Sequence, residues 1–224
     1  MQGLPLTIGG AAFLLAVSVN ATPTPAPTSP QGSPSPSAAR VEVHGEIPAA
    51  LVGTWLTVLT TRPRKDRLSN AWHVYRFSRN GARWRLQELD PRAIPPALAK
   101  ALGEANKQIR PFAPTPELLN AVAKPVSQLP PRSEEDSFTQ VVLRAASHFE
   151  PQPTPVAHLQ GAHFSIELIE KPGANRVTSV LGLYVKEISK STLKGSLQSA
   201  VVASTGFAVV PIVIEGAFTM YRLR

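Results

Sequence analysis

The sequence predicts a mainly β protein, an antiparallel strand meander that closes into a barrel-like sheet, with a helical insertion around residues 91–131. Three observations lead to this fold class. About seven short runs are rich in β-branched and aromatic residues, most of them are joined by short turns, and one stretch between them changes to helical spacing. Sequential strands with short connections are typical of antiparallel barrels and sandwiches.

The first strands surround a clear hairpin signal. β-branched and aromatic residues are concentrated at residues 54–61, 71–78 and 82–89. Asn80 and Gly81 separate the second run from the third, and Asn-Gly between two such runs is typical of a tight hairpin turn. We therefore predict that these two runs pair as neighbouring antiparallel strands.

The insertion is predicted to hold two helices. The first follows Pro95-Pro96 and has apolar residues at helical spacing, namely Leu98, Leu102, Ala105 and Ile109. For the second helix we predict Thr115 as the N-cap, Pro116 in the first turn and Pro125 as the stop. The pattern therefore predicts a helical insertion between strands.

Residues 133–149 leave two structures open. Ser133-Glu134-Glu135-Asp136 resembles the start of a helix, and the apolar residues that follow keep a helical period. Residues 139–143 would serve equally well as a strand because they are rich in β-branched side chains.

The rest of the chain is predicted to be β structure. Apolar alternation places Phe218, Met220 and Arg222 on one face of the last run. The four predicted runs are residues 162–170, 177–188, 193–201 and 212–223.

The N-terminal region predicts export. Residues 4–19 are apolar and lead to Ala21, an A-x-A-like cleavage site, so we predict a signal peptide at residues 1–21 and a periplasmic or extracellular protein. An uncleaved anchor is the alternative, although about 16 residues are fewer than the ~20 that span a bilayer. Residues 22–40 are predicted to be a disordered Pro/Ser/Thr-rich linker, and residues 41–224 a single domain with no transmembrane segment.

Charge and cysteine content restrict the chemistry. The net charge is +8, which favours anionic partners. The chain has no cysteine, which excludes disulfide scaffolds, thiol nucleophiles and cysteine zinc sites. We do not expect nucleic acid as a partner, because an exported protein seldom meets it.

Two short segments resemble the lipocalin or calycin-type barrels. Gly53-Thr54-Trp55 is similar to the Gly-x-Trp that opens the first strand of that group. The resemblance implies that the Trp55 indole closes one end of the barrel, and that Arg222 in the last strand stacks over it. It also implies a small ligand in the barrel interior. The Thr-Asp-Tyr signature of true lipocalins is absent, and the helical insertion is foreign to the simple barrel.

No motif identifies a catalytic residue, a metal site or a cofactor. His158 and His163 are separated by an odd number of residues, so they would face opposite sides of a strand. Ser191 and Lys194 match Ser-x-x-Lys, but the later elements of that chemistry are missing. We therefore predict no metal, no cofactor and no named catalytic residue, and we favour a binding protein over an enzyme.

A basic and aromatic segment at residues 62–85 is the candidate binding surface. Basic residues interleaved with aromatic ones can hold an anionic group, although an Arg-rich solvated strand face gives the same pattern. The candidate residues, for an anionic head group or a surface partner, are Arg76, Arg83, Arg85, Trp72 and Trp84.

Two functions follow from these observations. The first is non-catalytic binding of a lipid or other small apolar or amphipathic ligand inside the barrel, with basic residues near the mouth. The second is a surface module that docks anionic envelope material through residues 62–85. A filled barrel interior would contradict the first, and salt-insensitive binding would contradict the second.

Overall fold

The computed structural model describes residues 39–64, 67–90, 92, 94–132, 138–150, 156–170, 178–204 and 209–223. The predicted signal peptide and nearly all of the predicted linker lie outside these residues, as does the predicted helix start at Ser133–Asp136. The described residues belong to one compact unit, Pro36–Arg224.

The described chain contains nine strands and two longer helices. Their order alternates from strands to helices and back to strands. The elements are β1 (Arg40–His44), β2 (Gly53–Arg64), β3 (Arg67–Asn80), β4 (Arg83–Leu89), α1 (Pro96–Lys107), α2 (Pro116–Ser127), β5 (Phe138–Ala145), β6 (Phe164–Glu170), β7 (Thr178–Ile188), β8 (Thr192–Ser204) and β9 (Val209–Leu223).

The strands form a single sheet that curves into a nearly closed barrel, in the order β1-β5-β6-β7-β8-β9-β2-β3-β4. The first barrel strand, β2, pairs with the last, β9, and the two ends of the sheet, β1 and β4, lie in contact. The predicted mainly β barrel with a helical insertion is therefore confirmed. Nearly every pair of neighbouring strands is antiparallel, but β1 runs parallel to β5.

Two strands add to the seven runs that were predicted: β5, in the segment left open, and β1, which also departs from the antiparallel pattern. This strand has five residues, with Val41 and Val43 alternating with charged neighbours. So short a strand carries little local signal, and its register is set by β5, which lies almost a hundred residues away (Val41 pairs with Val141). Pairing over such a separation cannot be inferred from local pattern.

The structure tests the predicted hairpin and residues 138–149 of the segment that was left open. β3 and β4 pair up to Asn80 and Arg83, and Gly81 adopts φ +59°, a conformation that glycine tolerates well. Within the segment left open, Phe138–Ala145 form strand β5 and Ala146–His148 a short 3₁₀ turn. Phe138 and Leu143 face the buried barrel interior, so tertiary packing decides the conformation.

The two predicted helices are present and cover the outside of the barrel. Leu98 of α1 and Val126 of α2 pack in a cluster with Leu56 and Val74, which point outward from β2 and β3. The predicted stop at Pro125 was wrong, because α2 continues to Ser127 with Pro125 in its last turn. Proline there removes one amide donor, and the helix ends before further bonds are lost.

The N-cap of α2 supports a first prediction. The Thr115 Oγ1 accepts a hydrogen bond from the Leu118 amide at 3.3 Å, and Pro116 follows at the first helical position. Thr115→Ala should therefore lower the free energy of unfolding by about 1 kcal/mol. Urea denaturation followed by circular dichroism measures this loss, and Thr115→Ser, which keeps the hydroxyl, should retain most of the stability. Equal losses in both variants would contradict the capping role.

A second buried cluster lies in the barrel interior. It joins side chains from every strand of the barrel wall, among them Trp55, Phe77, Phe164 and Phe218. The barrel wall thus has apolar packing on its inside and, where the helices cover it, on its outside. No helix in the described part of the chain is long and apolar enough to cross a membrane.

Candidate functional site

Trp55 is buried in the barrel interior near the start of β2. Its indole is fully buried, and its Nε1 donates a hydrogen bond to the Leu51 carbonyl at 2.8 Å. The Arg222 guanidinium lies 4.5 Å from the centre of the Trp55 ring, and its Nη2 donates to the Ala50 carbonyl. A Cβ on Gly53 would lie 3.4 Å from Nη1 of Arg222, so glycine lets the guanidinium approach. Gly53, Trp55 and Arg222 therefore lie together at this end.

The interior becomes accessible toward the opposite end. Along β9, the inward-facing residues change from the buried Met220 and Phe218 to the half-buried Gly216 and then to Ile214, which is 40% exposed. The β8–β9 register is regular, so these residues share one face of the strand. This gradient indicates that solvent reaches the interior from the end opposite Trp55.

Strand β3 shows the same gradient. Phe77 and Tyr75 are buried, His73 is half-buried, and Ala71, also on the inward-facing side of the strand, is exposed. Strands β7 and β8 show the same trend. Leu181 and Ser199 are half-buried, whereas Leu183 and Leu197, nearer to Trp55, are buried. Four strands therefore agree on where the barrel interior opens.

A chain of polar groups runs from Arg132 through Glu88 to His73. The Glu88 carboxylate, whose side chain is 1% exposed, has Oε1 2.8 Å from Nδ1 of His73. Its other oxygen, Oε2, accepts a hydrogen bond from Nη1 of Arg132 at 2.8 Å. The amide of Arg132 also donates to the Glu88 carbonyl. A buried carboxylate needs such partners, and here one of them, His73, faces the accessible part of the interior.

Two buried hydroxyls lie beside this chain with no hydrogen-bond partner among the described residues, those of Tyr75 and Thr57. The Tyr75 ring is parallel to the His73 ring, with 5.7 Å between centres, and Thr57 pairs with His73 across β2 and β3. Burial, reinforced by the Glu88 carboxylate, raises the pKa of Tyr75 well above its usual value. The Tyr75 hydroxyl therefore stays protonated and is available as a donor.

The arrangement suits hydrogen bonding to one polar group of a small molecule. Tyr75 and Thr57 can each donate and accept, and His73 is held by Glu88 at the border of the accessible half. Unsatisfied buried hydroxyls usually have a partner in the working molecule. Among the described residues there is no group of three His, Asp or Glu that could hold a metal ion.

The five residues predicted for anion binding are divided among four places. Arg76 is bound within the fold, because its Nη2 donates to the Ser127 carbonyl at 2.6 Å, at the end of α2. Trp72 points outward and packs beside the helices, whereas Trp84 is buried in the barrel interior. Only Arg83 and Arg85 are exposed on the outer face of β4. The structure therefore does not gather the five into one surface.

The polar chain of His73, Glu88 and Arg132 was not among the sites predicted from the sequence. His73 and Tyr75 share the parity of Phe77, so strand alternation alone places all three on the inner face. This signal was available in the sequence. The pairing with Glu88 depends on the β3–β4 register, and the contact with Arg132 depends on the path of the chain after the helices.

The comparisons with known proteins identify no relative. No protein-family model matches the chain, and neither does any curated protein or solved structure. The resemblance to lipocalin-type barrels therefore stays a prediction.

Proposed function

We propose that this is an exported, non-catalytic binding protein that holds a small apolar or amphipathic ligand in the open half of the barrel. The proposal is carried by the inward-facing residues, which become more exposed toward one end of the barrel. Next to the accessible part lie the buried hydroxyls of Tyr75 and Thr57, which have no hydrogen-bond partner among the described residues. A concave apolar wall with a few converging polar groups is the usual form of a small-molecule site.

The lining of the open half suggests how such a ligand would bind. Leu181 and Ile214 offer apolar surface, and burial of a ligand chain against them contributes about 0.8 kcal/mol per CH₂. A hydroxyl, carbonyl or carboxyl head would reach Tyr75, Thr57 and His73 at the inner limit. The half beyond them is filled by side chains around Trp55, so a ligand of modest length is expected.

Native mass spectrometry of the protein from its own cells tests the proposal directly. We expect a folded species heavier than the polypeptide, and an organic extract that contains the released lipid or other apolar molecule. A folded species at the polypeptide mass that also fails to take up added fatty acids or fatty alcohols would overturn the proposal. The same spectrum tests export, because a cleaved protein is expected to begin at Thr22.

A tryptophan at position 199 should block the open half. Ser199 faces the interior from β8, pairs with Leu181 and Ile214, and is half-buried. We expect Ser199→Trp to weaken binding of a fluorescent fatty acid by about tenfold or more. The matched control is Ala200→Trp, which adds the same side chain to the outer face of the same strand. Equal affinities in the two variants, with both folded by circular dichroism, would contradict an interior site.

A second candidate function rests on Arg83 and Arg85. Both are exposed on the outer face of β4 and form no ion pair within the described part of the chain. They could dock anionic envelope material, in which case binding to anionic lipid vesicles should fall steeply with salt and in Arg83→Ser/Arg85→Ser. Binding that salt leaves unchanged would exclude this function.

A further inference from the structure

A cleft of about 390 Å³ lies on the outside of the barrel, away from the interior site. Its floor is the outer face of β5, β6, β7 and β8, and its wall is the chain around Phe149 and residues 156–159. The floor residues Arg144, Glu167 and Tyr184 alternate with the inward-facing Leu143, Ile166 and Leu183, so the barrel wall separates the two sites.

The floor carries a fixed pair of opposite charges. Nε of Arg144 donates to Oε1 of Glu167 at 3.4 Å, and the Ser165 hydroxyl donates to the same oxygen at 3.4 Å. Both charged side chains are about a quarter exposed, at 24% and 23%, and Arg144 and Glu167 both line the cleft. A guanidinium donor and a carboxylate acceptor are thus held side by side, and part of each side chain is accessible to solvent.

The Tyr184 ring lies across the floor over Gly182, two residues earlier on β7, because glycine has no side chain there. A Cβ on Gly182 would lie 2.9 Å from the Tyr184 hydroxyl and 3.0 Å from its ring, so a larger residue would displace the tyrosine. Gly182 pairs with Glu167 on β6, which places the hydroxyl over the charged pair. The His158 ring packs on Tyr184 with 4.4 Å between centres, and Gln198 adds an amide.

The wall is tied to the barrel by two hydrogen bonds. Nζ of Lys186 donates to the Ala157 carbonyl at 3.2 Å, and the Ser196 hydroxyl donates to the His158 carbonyl at 3.1 Å. These bonds come from β7 and β8 and hold the wall on either side of His158. The cleft is therefore open to solvent, with a floor of paired strands and a wall that is hydrogen-bonded to them.

The charge of the lining disfavours an anion. Arg144 is offset by Glu167, and Glu150 adds a further negative charge. Desolvation lowers the pKa of His158 and outweighs the opposing charge of Glu215, so its ring is neutral at neutral pH. A ligand that is itself uncharged, and that can both donate and accept at several points, fits these groups best.

We propose that the cleft binds a neutral sugar ring. Each sugar hydroxyl can both donate and accept a hydrogen bond. The lining offers donors and acceptors for them on Arg144, Glu167, Tyr184 and Gln198. The C–H face of the ring would pack on the apolar part of the wall, which Phe149 and Leu159 provide. The volume lies within the range of small-ligand pockets and exceeds what a single ion would need.

Saturation-transfer NMR on the full-length protein tests this site with glucose, galactose and N-acetylglucosamine, and with galacturonate as the anionic comparison. We expect transfer to the ring protons of at least one neutral sugar and weaker transfer to galacturonate. Gln198→Trp, which fills the cleft, should raise the dissociation constant of that sugar about tenfold or more. Ala200→Trp and Ser199→Trp should leave it within about twofold, because neither side chain lines the cleft.

Three results would overturn the sugar site, provided that the variants remain folded by circular dichroism. One is the absence of transfer to all three neutral sugars, and another is preferred binding of galacturonate. The third is unchanged sugar affinity in Gln198→Trp. Ser199→Trp is designed to block the barrel interior and Gln198→Trp to block the cleft. Comparing fatty acid and sugar binding in the two variants therefore tests the two sites separately.

Discussion

Replacing Trp55 with alanine is expected to lower the free energy of unfolding by about 4 kcal/mol, which is typical of a large aromatic residue removed from a core. The side chain is fully buried in the cluster that occupies the barrel interior. The variant also loses the hydrogen bond from Nε1 to the Leu51 carbonyl and the surface on which Arg222 stacks. The Arg222 guanidinium would then lie over a cavity.

Urea denaturation of Trp55→Ala, Trp55→Phe and Trp72→Ala measures this effect. Trp55→Phe keeps an aromatic ring under Arg222 and should lose roughly half as much stability. Trp72 is half-buried on the outer face, so its truncation should cost less than that of Trp55. A loss in Trp55→Ala no greater than in Trp72→Ala would contradict the role of Trp55 in the core.

Local patterns predicted most of the fold because the relevant forces act over short segments. Asn80-Gly81 specifies its hairpin through backbone conformation, and Thr115-Pro116 specifies the start of α2 through one cap and one fixed φ. Strand β1 could not be predicted in this way, because its pairing with β5 is decided by a distant partner. Residues 138–145 show the same limit, since only the barrel interior makes them a strand.

The candidate site was harder to predict because a sequence pattern does not reveal which side of a barrel wall a residue faces. The arginines of residues 62–85 formed a conspicuous group, yet Arg76 is bound to the end of α2 and Trp84 lies inside the barrel. Glu88 gave no such signal, although it is the buried centre of the polar chain. Charge density in the sequence favoured the exposed residues over the buried ones.

Removing the Glu88 carboxylate should cost about 3 kcal/mol of unfolding free energy, the lower end of the range for breaking a buried charge pair. The side chain is 1% exposed and accepts from Arg132 while it holds His73. Glu88→Leu would leave both partners without this acceptor. We expect a loss of unfolding free energy at the lower end of that range because Arg132 and His73 are partly exposed, at 25% and 27%. Both side chains can therefore regain some hydration in the variant.

The double variant Glu88→Leu/Arg132→Leu tests whether the two side chains act as a pair. If the cost of Glu88→Leu comes from the guanidinium left beside an apolar side chain, removal of Arg132 should recover about 1 kcal/mol or more. Glu104→Gln, which removes a carboxylate from an exposed pair with Lys107, serves as the control and should change stability by less than about 0.5 kcal/mol. Strictly additive losses at Glu88 and Arg132 would show that the two do not act as a pair. In that case the position of His73 beside Tyr75 would have to depend on ring packing alone.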